Sequence, residues 1–326
     1  MAGAATQKAL RTINTGGNAM SQPLQRRRTW GRVPAMLAAA LACAAAVPAS
    51  ATVMTALHLN VYRDGSSADW LLGNSRLLAD GFDNGNPYVG PNYSGSVDTA
   101  AYTLQGLAPG ANAALAVREQ GGALLLDPGY GASSANALGQ TGYSLRLRLQ
   151  TNIVDADRGL PQSRSFAASL RLSLSAMPDP GQSFGFRFAD GFSNSSDYVE
   201  LYVADGGAGD IVVFRKQDFV AGAITPLGSA ALGAAPAGAS MLVLSLSHGT
   251  AGSNQIFGSY GYADASGALM GPLAGFANSA TAFNGEAHTH LELRATSTVS
   301  AVPEPGAAAM LATGLAGLAW RARRRR

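Results

Sequence analysis

The chain has 326 residues, 47% of them hydrophobic and 13% charged, with 40 glycines and one cysteine. That apolar content excludes a disordered polyelectrolyte, and a lone cysteine excludes a disulfide framework. The formal charge of +3 belongs to the ends. Six of the 23 Lys and Arg precede residue 52 and five follow residue 320, leaving 12 against 19 acidic residues between them, a body of about −7. An acidic body makes the basic whole-chain balance no argument for nucleic-acid binding.

Residues 1–51 read as an address. Arg26, Arg27, Arg28 and Arg32 form a positive n-region, residues 33–47 an apolar stretch, and Ala49-Ser50-Ala51 a small-residue cleavage site before Thr52. This pattern predicts a secretory signal peptide over 1–51. The n-region is long, so Met20 is an alternative start, and the arginine run resembles a twin-arginine signal only weakly. Cys43 follows Ala40-Leu41-Ala42, a poor lipidation box, and reads as a small apolar residue of the stretch.

From Thr52 to about residue 301 the dominant period is two. Residues 53–62 alternate as a first strand, residues 77–85 run into an Asp/Asn/Gly loop, and Leu124-Leu125-Leu126 ends in the turn Asp127-Pro128-Gly129. Leu145, Leu147 and Leu149 alternate with Ser144, Arg146, Arg148 and Gln150, and Leu170, Leu172 and Leu174 with Ser169, Arg171, Ser173 and Ser175. Residues 184–188, 198–203, 242–246 and 288–294 continue the pattern; 211–214 is apolar on both faces and 256–262 is broken by glycine. Such alternation predicts antiparallel strands with one face in a core and one in water. Turn clusters separate them at Pro178-Asp179-Pro180-Gly181, Asp190-Gly191, Asp205-Gly206-Gly207 and residues 263–267. No helix-period segment longer than two turns occurs in this part, so the expected fold is all-β, a two-sheet antiparallel jelly-roll sandwich in one domain over 52–301.

From the Asp80 loop to Leu293, the order of strands and loops resembles a concanavalin-like jelly roll of the laminin-G and legume-lectin kind. An acidic Phe loop opens those domains, and long alternating strands then curve into a concave sheet. Tyr198, Glu200 and Tyr202, with Arg187, Arg146 and Arg148 on neighbouring segments, are expected on an outward face. Tyrosine rings offer flat surfaces for sugar stacking, and carboxylate and guanidinium groups hydrogen-bond hydroxyls. The alternative is an ordinary solvated face with Arg–Glu pairs across the strands. Concanavalin-like glycoside hydrolases carry a Glu-x-Asp-x-x-Glu strand that sets two carboxylates on one face. This chain lacks it: Asp197 and Glu200 point to opposite faces, and Glu286 and Glu292 lie in another segment.

Two metal patterns deserve weighing. His288, His290 and Glu292 share one face of a strand, a spacing that suits zinc; a polar row opposite Thr289, Leu291 and Leu293 explains the same residues without metal. Asp80, Asp83 and Asn84, with Asp98, supply hard oxygens of the kind calcium takes. Asp/Asn/Gly clusters equally form turns that bond their own backbone.

The chain closes on Val302-Pro303-Glu304-Pro305, fifteen uncharged residues from Gly306 to Trp320, then Arg321, Ala322 and four arginines. Fifteen helical residues span roughly 22 Å against a hydrocarbon core of about 30 Å, short for a permanent anchor. Trp320 suits the interface, and the arginines hold the C-terminus on the cytoplasmic side. The prolines keep Pro303-Glu304-Pro305 extended outside the membrane, open to a processing enzyme. This three-part tail, 302–326, resembles the PEP-CTERM signal of exosortase substrates: motif 303–305, transmembrane helix 306–320, arginine cluster 321–326. The resemblance implies export through the inner membrane of a Gram-negative bacterium, transient membrane contact, cleavage by an exosortase-type enzyme, and a place at the surface or in extracellular matrix rich in polysaccharide. The expected function is a non-catalytic, exported protein of that matrix with a carbohydrate-binding sandwich; the alternative is a secreted polysaccharide-active enzyme.

Overall fold

The alternating segments become strands wherever the residues are described. The computed structural model describes residues 52–65, 76–83, 93–94, 101–107, 113–130, 143–149, 160–190, 197–281, 283 and 288–298, all within Ala49–Arg326, the second of the chain's two units. The signal segment with Ala49 and Ala51, the tail with Pro303, Glu304 and Pro305, and Asn84, Asp98 and Glu286 lie outside the described residues.

In chain order come β1 (Met54–Arg63), β2 (Arg76–Asp80), β3 (Tyr93–Ser94), β4 (Ala101–Gln105), a single helical turn α1 (Ala113–Ala116), β5 (Val117–Glu119) and β6 (Leu124–Leu126). Then follow β7 (Tyr143–Leu149), β8 (Leu160–Pro161), β9 (Phe166–Ser173), a 3-10 turn (Leu174–Ala176), β10 (Gln182–Ala189), β11 (Tyr198–Asp205) and β12 (Asp210–Asp218). The last are β13 (Ala223–Ala231), β14 (Met241–His248), β15 (Gln255–Ala263), β16 (Ala274–Thr281) and β17 (His288–Ser297). They form two antiparallel sheets. The first runs β16-β15-β14-β9-β1-β6-β5, with β2 also on β1; the second runs β13-β12-β11-β10-β17-β7-β4-β3, with β8 on β17.

The two sheets share one core. Leu145, Leu147, Phe184, Phe186, Phe188, Leu201, Phe214 and Leu293 from the second sheet meet Leu59, Leu170, Leu172, Leu244 and Leu246 from the first. Phe166 and Phe188 cross between sheets edge to face at 5.4 Å. Each such side chain fully removed from water contributes about 1.5–3 kcal/mol. The two-sheet antiparallel sandwich is therefore what the sequence pattern predicts.

Local chemistry places the turns. In Pro178-Asp179-Pro180-Gly181, Gly181 adopts φ 81°, and a Cβ there would lie 2.0 Å from Thr298 Oγ1. Only glycine admits that close approach in a left-handed conformation. Asp179 accepts a hydrogen bond from Thr52 N at 3.0 Å, tying the turn to the chain entering β1. Leu174 leaves the predicted strand because β9 ends at Ser173, whose hydroxyl caps the 3-10 turn through Ser175 N.

Seven strands escape the period-two reading, among them the two- and three-residue β3, β5 and β8. β13 and β16 are rich in Ala, Gly and Ser, which have little β propensity, and they are strands because β12 and β15 offer paired backbone. β2 and β4 are short and flank loops. The strand predicted at 211–214 extends to Asp218, four residues further.

Candidate functional site

The second sheet carries the chemistry, on the face turned away from the core. In each of five strands a charged residue sits beside core residues: Leu147-Arg148-Leu149, Leu291-Glu292-Leu293, Phe186-Arg187-Phe188, Val199-Glu200-Leu201 and Phe214-Arg215. The core fixes the register of each strand, because a one-residue slip would turn its apolar set outward. That register aligns Arg148, Glu292, Arg187, Glu200 and Arg215 in one line across β7, β17, β10, β11 and β12, alternating in sign. Parallel to it runs Arg146, Arg294, Gly185, Tyr202 and Val213, and on the other side His290, Ala189, Tyr198 and Gln217.

The contacts follow the alignment. Glu292 Oε1 accepts from Arg148 Nε at 2.7 Å and also from its Nη2, while Oε2 accepts from Arg187 Nε at 2.6 Å. Arg146 Nη1 stands 3.9 Å from the same carboxylate. Glu200 Oε2 accepts from Arg215 Nε and Nη2 at 3.1 and 2.9 Å, and Oε1 from Arg294 Nη1. Burial alone would raise both carboxyls; the arginines override it and hold each down at about 2. Burial and the neighbouring guanidinium groups lower Arg146 to about 10, with Glu292 opposing. Burial and Arg148 lower His290 to about 4, so the imidazole is neutral at pH 7. Burial, followed by Glu200, raises Tyr198 and Tyr202.

The structure brings together the six residues of the expected saccharide face, but it corrects their setting. They do not line an open solvated sheet: Tyr198 and Glu200 are 1% exposed, Arg148 2%, Arg187 3% and Arg146 9%, while Tyr202 is half-buried. The aromatic rings are partly occupied as well. The Arg187 guanidinium lies 4.3 Å from the Tyr198 ring centroid and that of Arg215 4.9 Å from Tyr202, so one face of each ring already holds a cation. Among the described residues of this face, Ser183, Thr296, Ala204 and Ile211 are half-buried at one end, beside Arg146, Arg294 and Tyr202, as are Val213 and Arg215 along β12.

Sequence reasoning missed Arg215, Gln217 and Arg294, and weighed Glu292 only as part of a zinc pattern or a polar row with His288 and His290. The missed signal was legible: after Phe214, Arg215 and Gln217 continue the outward positions of Tyr202 and Glu200 under hairpin pairing. Gln217 is fully buried, and neither atom of its amide has a hydrogen-bond partner. The zinc pattern fails on the same geometry. Both oxygens of Glu292 serve arginines, so the carboxylate has no free edge to complete a site with His288 and His290. Asp197 is a turn residue whose Oδ1 accepts from Phe219 N at 2.5 Å.

Of the residues weighed for calcium, Asp80 and Asp83 are described. Asp80 Oδ1 accepts from Phe82 N at 2.9 Å and Oδ2 from the Tyr102 hydroxyl at 2.7 Å, while Phe82 stands at φ 52° with its ring in the core. Asp80 thus fixes a turn and anchors β4 to β2, and Asp83 is exposed. Among the described residues no three His, Cys, Asp or Glu side chains gather as a metal site. Nor is any described helix long and apolar enough to cross a membrane.

Fold and site together define an all-β sandwich with an arginine-rich buried face. Residues 301–325 match the PEP-CTERM protein-sorting motif. The chain therefore carries the signal of an exported protein processed by exosortase, a membrane enzyme, and destined for the cell surface or extracellular space. No curated protein and no solved structure matches the chain.

Proposed function

We propose that the chain is a non-catalytic extracellular protein of a Gram-negative cell, associated with exopolysaccharide or biofilm matrix through the half-buried end of its arginine- and tyrosine-lined face. The observation that carries this reading is the state of Glu200 and Glu292. They flank Arg187 across two strand spacings, about 9–10 Å of backbone separation, which is the order of distance that inverting glycosidases use. Both are clamped by guanidinium groups and held at about 2. Neither holds a proton to give a leaving group at neutral pH, and neither has a free oxygen edge for a nucleophilic role. A face built this way supports binding rather than hydrolysis. Tyr202, half-buried beside Ser183 and Ala204, is the aromatic group that a polyhydroxylated polymer lying across the strands would meet.

The test is co-sedimentation of the full-length protein with exopolysaccharide from its host, alongside an assay for released reducing ends. Retention without cleavage is expected, and Tyr202→Ala should weaken it several-fold at an unchanged fold by circular dichroism. Release of reducing ends that Glu200→Gln abolishes would establish the enzyme instead.

A further inference from the structure

The first sheet also turns one face away from the core, and that face is built differently. Leu59, Ala168, Leu170, Leu244, Leu246 and Ile256 enter the core, so the residues between them point outward. Register lines up Asn60, Ser169, Ser245 and Ser259 across β1, β9, β14 and β15, three strand spacings or about 14 Å. The next row holds Tyr62, Ala167, Ser247 and Phe257. None of the outward residues of β14 and β15 is charged.

Two observations on this face point to a ligand. Phe257 is 45% exposed, a large ring standing in water. Ser245, Ser247 and Ser259 beside it are half-buried and short, so they form the floor of a shallow trough with the ring at its edge. The second observation lies deeper in the same row. Asn60 is 7% exposed and Ser169 9%, and among the described residues neither side chain has a hydrogen-bond partner. Polar groups withdrawn that far from water are ordinarily hydrogen-bonded, so this amide and hydroxyl call for a partner from outside the described chain. The end of the trough remote from Phe257 is walled. Leu269 and Leu273 fold onto Met241, Val243 and Ala263, and Gly267 O of the same loop accepts from Arg171 Nη2 at 3.2 Å.

We infer that this trough on the first sheet binds an uncharged polysaccharide, with Phe257 stacked on a sugar ring and the Ser245, Ser259 and Asn60 side chains meeting its hydroxyls. A hexose ring presents an apolar C–H face and a rim of groups that both donate and accept. The trough offers the complement: a flat aromatic surface, and hydroxyl and amide groups that likewise do both. Short side chains on the floor let a ring lie close to the sheet, and a charged polymer would find no counter-charge on β14 or β15. The site goes beyond the polar face of the second sheet and does not depend on it.

The experiment measures retention of the full-length protein on dextran and on hydroxyethylcellulose, at low and high salt, for the native chain and for Phe257→Ala, Phe257→Tyr and Tyr202→Ala, with light scattering in parallel. Expected is retention that salt leaves unchanged, since no charge takes part. Phe257→Ala should weaken it about tenfold, the scale of one aromatic contact, and Phe257→Tyr, which keeps the ring, should restore it. The thermal midpoint should hold in both variants, because the ring already stands largely outside the core. Tyr202→Ala should bind the glucans as the native chain does. Equal retention by the native chain and Phe257→Ala, or no retention on either glucan, would overturn the proposal. Loss in Tyr202→Ala alone would put glucan binding on the second sheet, overturning this site while keeping the earlier reading. A mass that doubles with concentration in the native chain and not in Phe257→Ala would make a second copy of the chain the occupant instead.

Discussion

Glu292 is the residue on which the polar face turns. It stands between Arg148 and Arg187 in the charged line and also faces Arg146, so one carboxylate neutralises a cluster that would otherwise repel itself. Glu292→Gln keeps the shape and removes the charge. The expected cost is about 3–5 kcal/mol, the scale of breaking a buried pair, read as a lower urea midpoint at an unchanged slope. Arg148→Ala belongs to the same class, since it strips the buried carboxylate of its closest donor, and it is therefore a stability variant rather than a probe of binding.

The same carboxylates set the acid limit of the fold. Glu200 and Glu292 titrate at about 2 against 4.5 for an unperturbed group, so the folded state holds their protons less tightly than the unfolded chain does. Their stabilisation is fully present above 4.5 and is lost as pH falls from there toward 2, roughly 3 kcal/mol for each group. His290, lowered to about 4 from 6.5, adds a loss that begins below pH 6.5 and is complete near 4. Thermal melts should accordingly be level from pH 7 upward through neutrality and fall steadily below 6.5, most steeply under 4.5. A midpoint constant between pH 7 and 3 would mean that the arginines do not clamp these carboxylates.

At the scale of elements, one edge of each sheet, β16 of the first and β13 of the second, is built without charge. β13 and β16 hold no Lys, Arg, Asp or Glu, the residues that commonly deter edge pairing. Register breaks serve in their place. Leu227 is skipped between Pro226 and Gly228 in the pairing with β12, and residues 276–278 are skipped in the pairing of β15 with β16. Asn278 Nδ2 then donates to Leu227 O at 2.7 Å, bridging the two edges. Behind them, Phe214 stacks on Phe276 at 5.6 Å and fills the space over Gly258, where a Cβ would lie 2.9 Å from the Phe214 ring. Gly258→Ala should push Phe214 out of its place and cost about 1–3 kcal/mol, measurable by denaturant titration. A neutral result would show that the β12–β15 contact is looser than its geometry implies.

At the scale of the whole chain, the sorting motif and the sandwich make separable contributions. The motif at 301–325 addresses the protein to exosortase, and the described body reaches Thr298 without contributing to that signal. Glu304→Ala should therefore leave the stability of the sandwich unchanged while blocking removal of the tail. Cell fractionation with intact-mass measurement checks this: the variant is expected in the membrane fraction with residues 302–326 attached, and the native protein outside it without them. Release of a shortened variant would show that Glu304 is dispensable for processing.

The sequence by itself determined the address and the class of fold. Pro303-Glu304-Pro305 with its apolar run and arginines is read in linear order by a membrane and an enzyme, so no tertiary contact is needed to interpret it. Leu145, Leu147 and Leu149, or Phe184, Phe186 and Phe188, announce strands because the side-chain period of extended backbone is two. The same alternation led to error on the polar side. Arg146, Arg148, Arg187 and Glu200 were expected in water, since in one strand an arginine between two leucines marks a solvated face. Only the packing of five strands shows that Arg148 and Arg187 meet one glutamate from a strand distant in the chain, Glu292, 144 and 105 residues away. Charge pairing across a sheet depends on strand order and register, which are set by burial of the opposite, apolar face. Asp80 makes the same point in small. Its loop composition suited either a turn or a cation, and only the fold shows the hydroxyl of Tyr102, 22 residues on, donating to its oxygen.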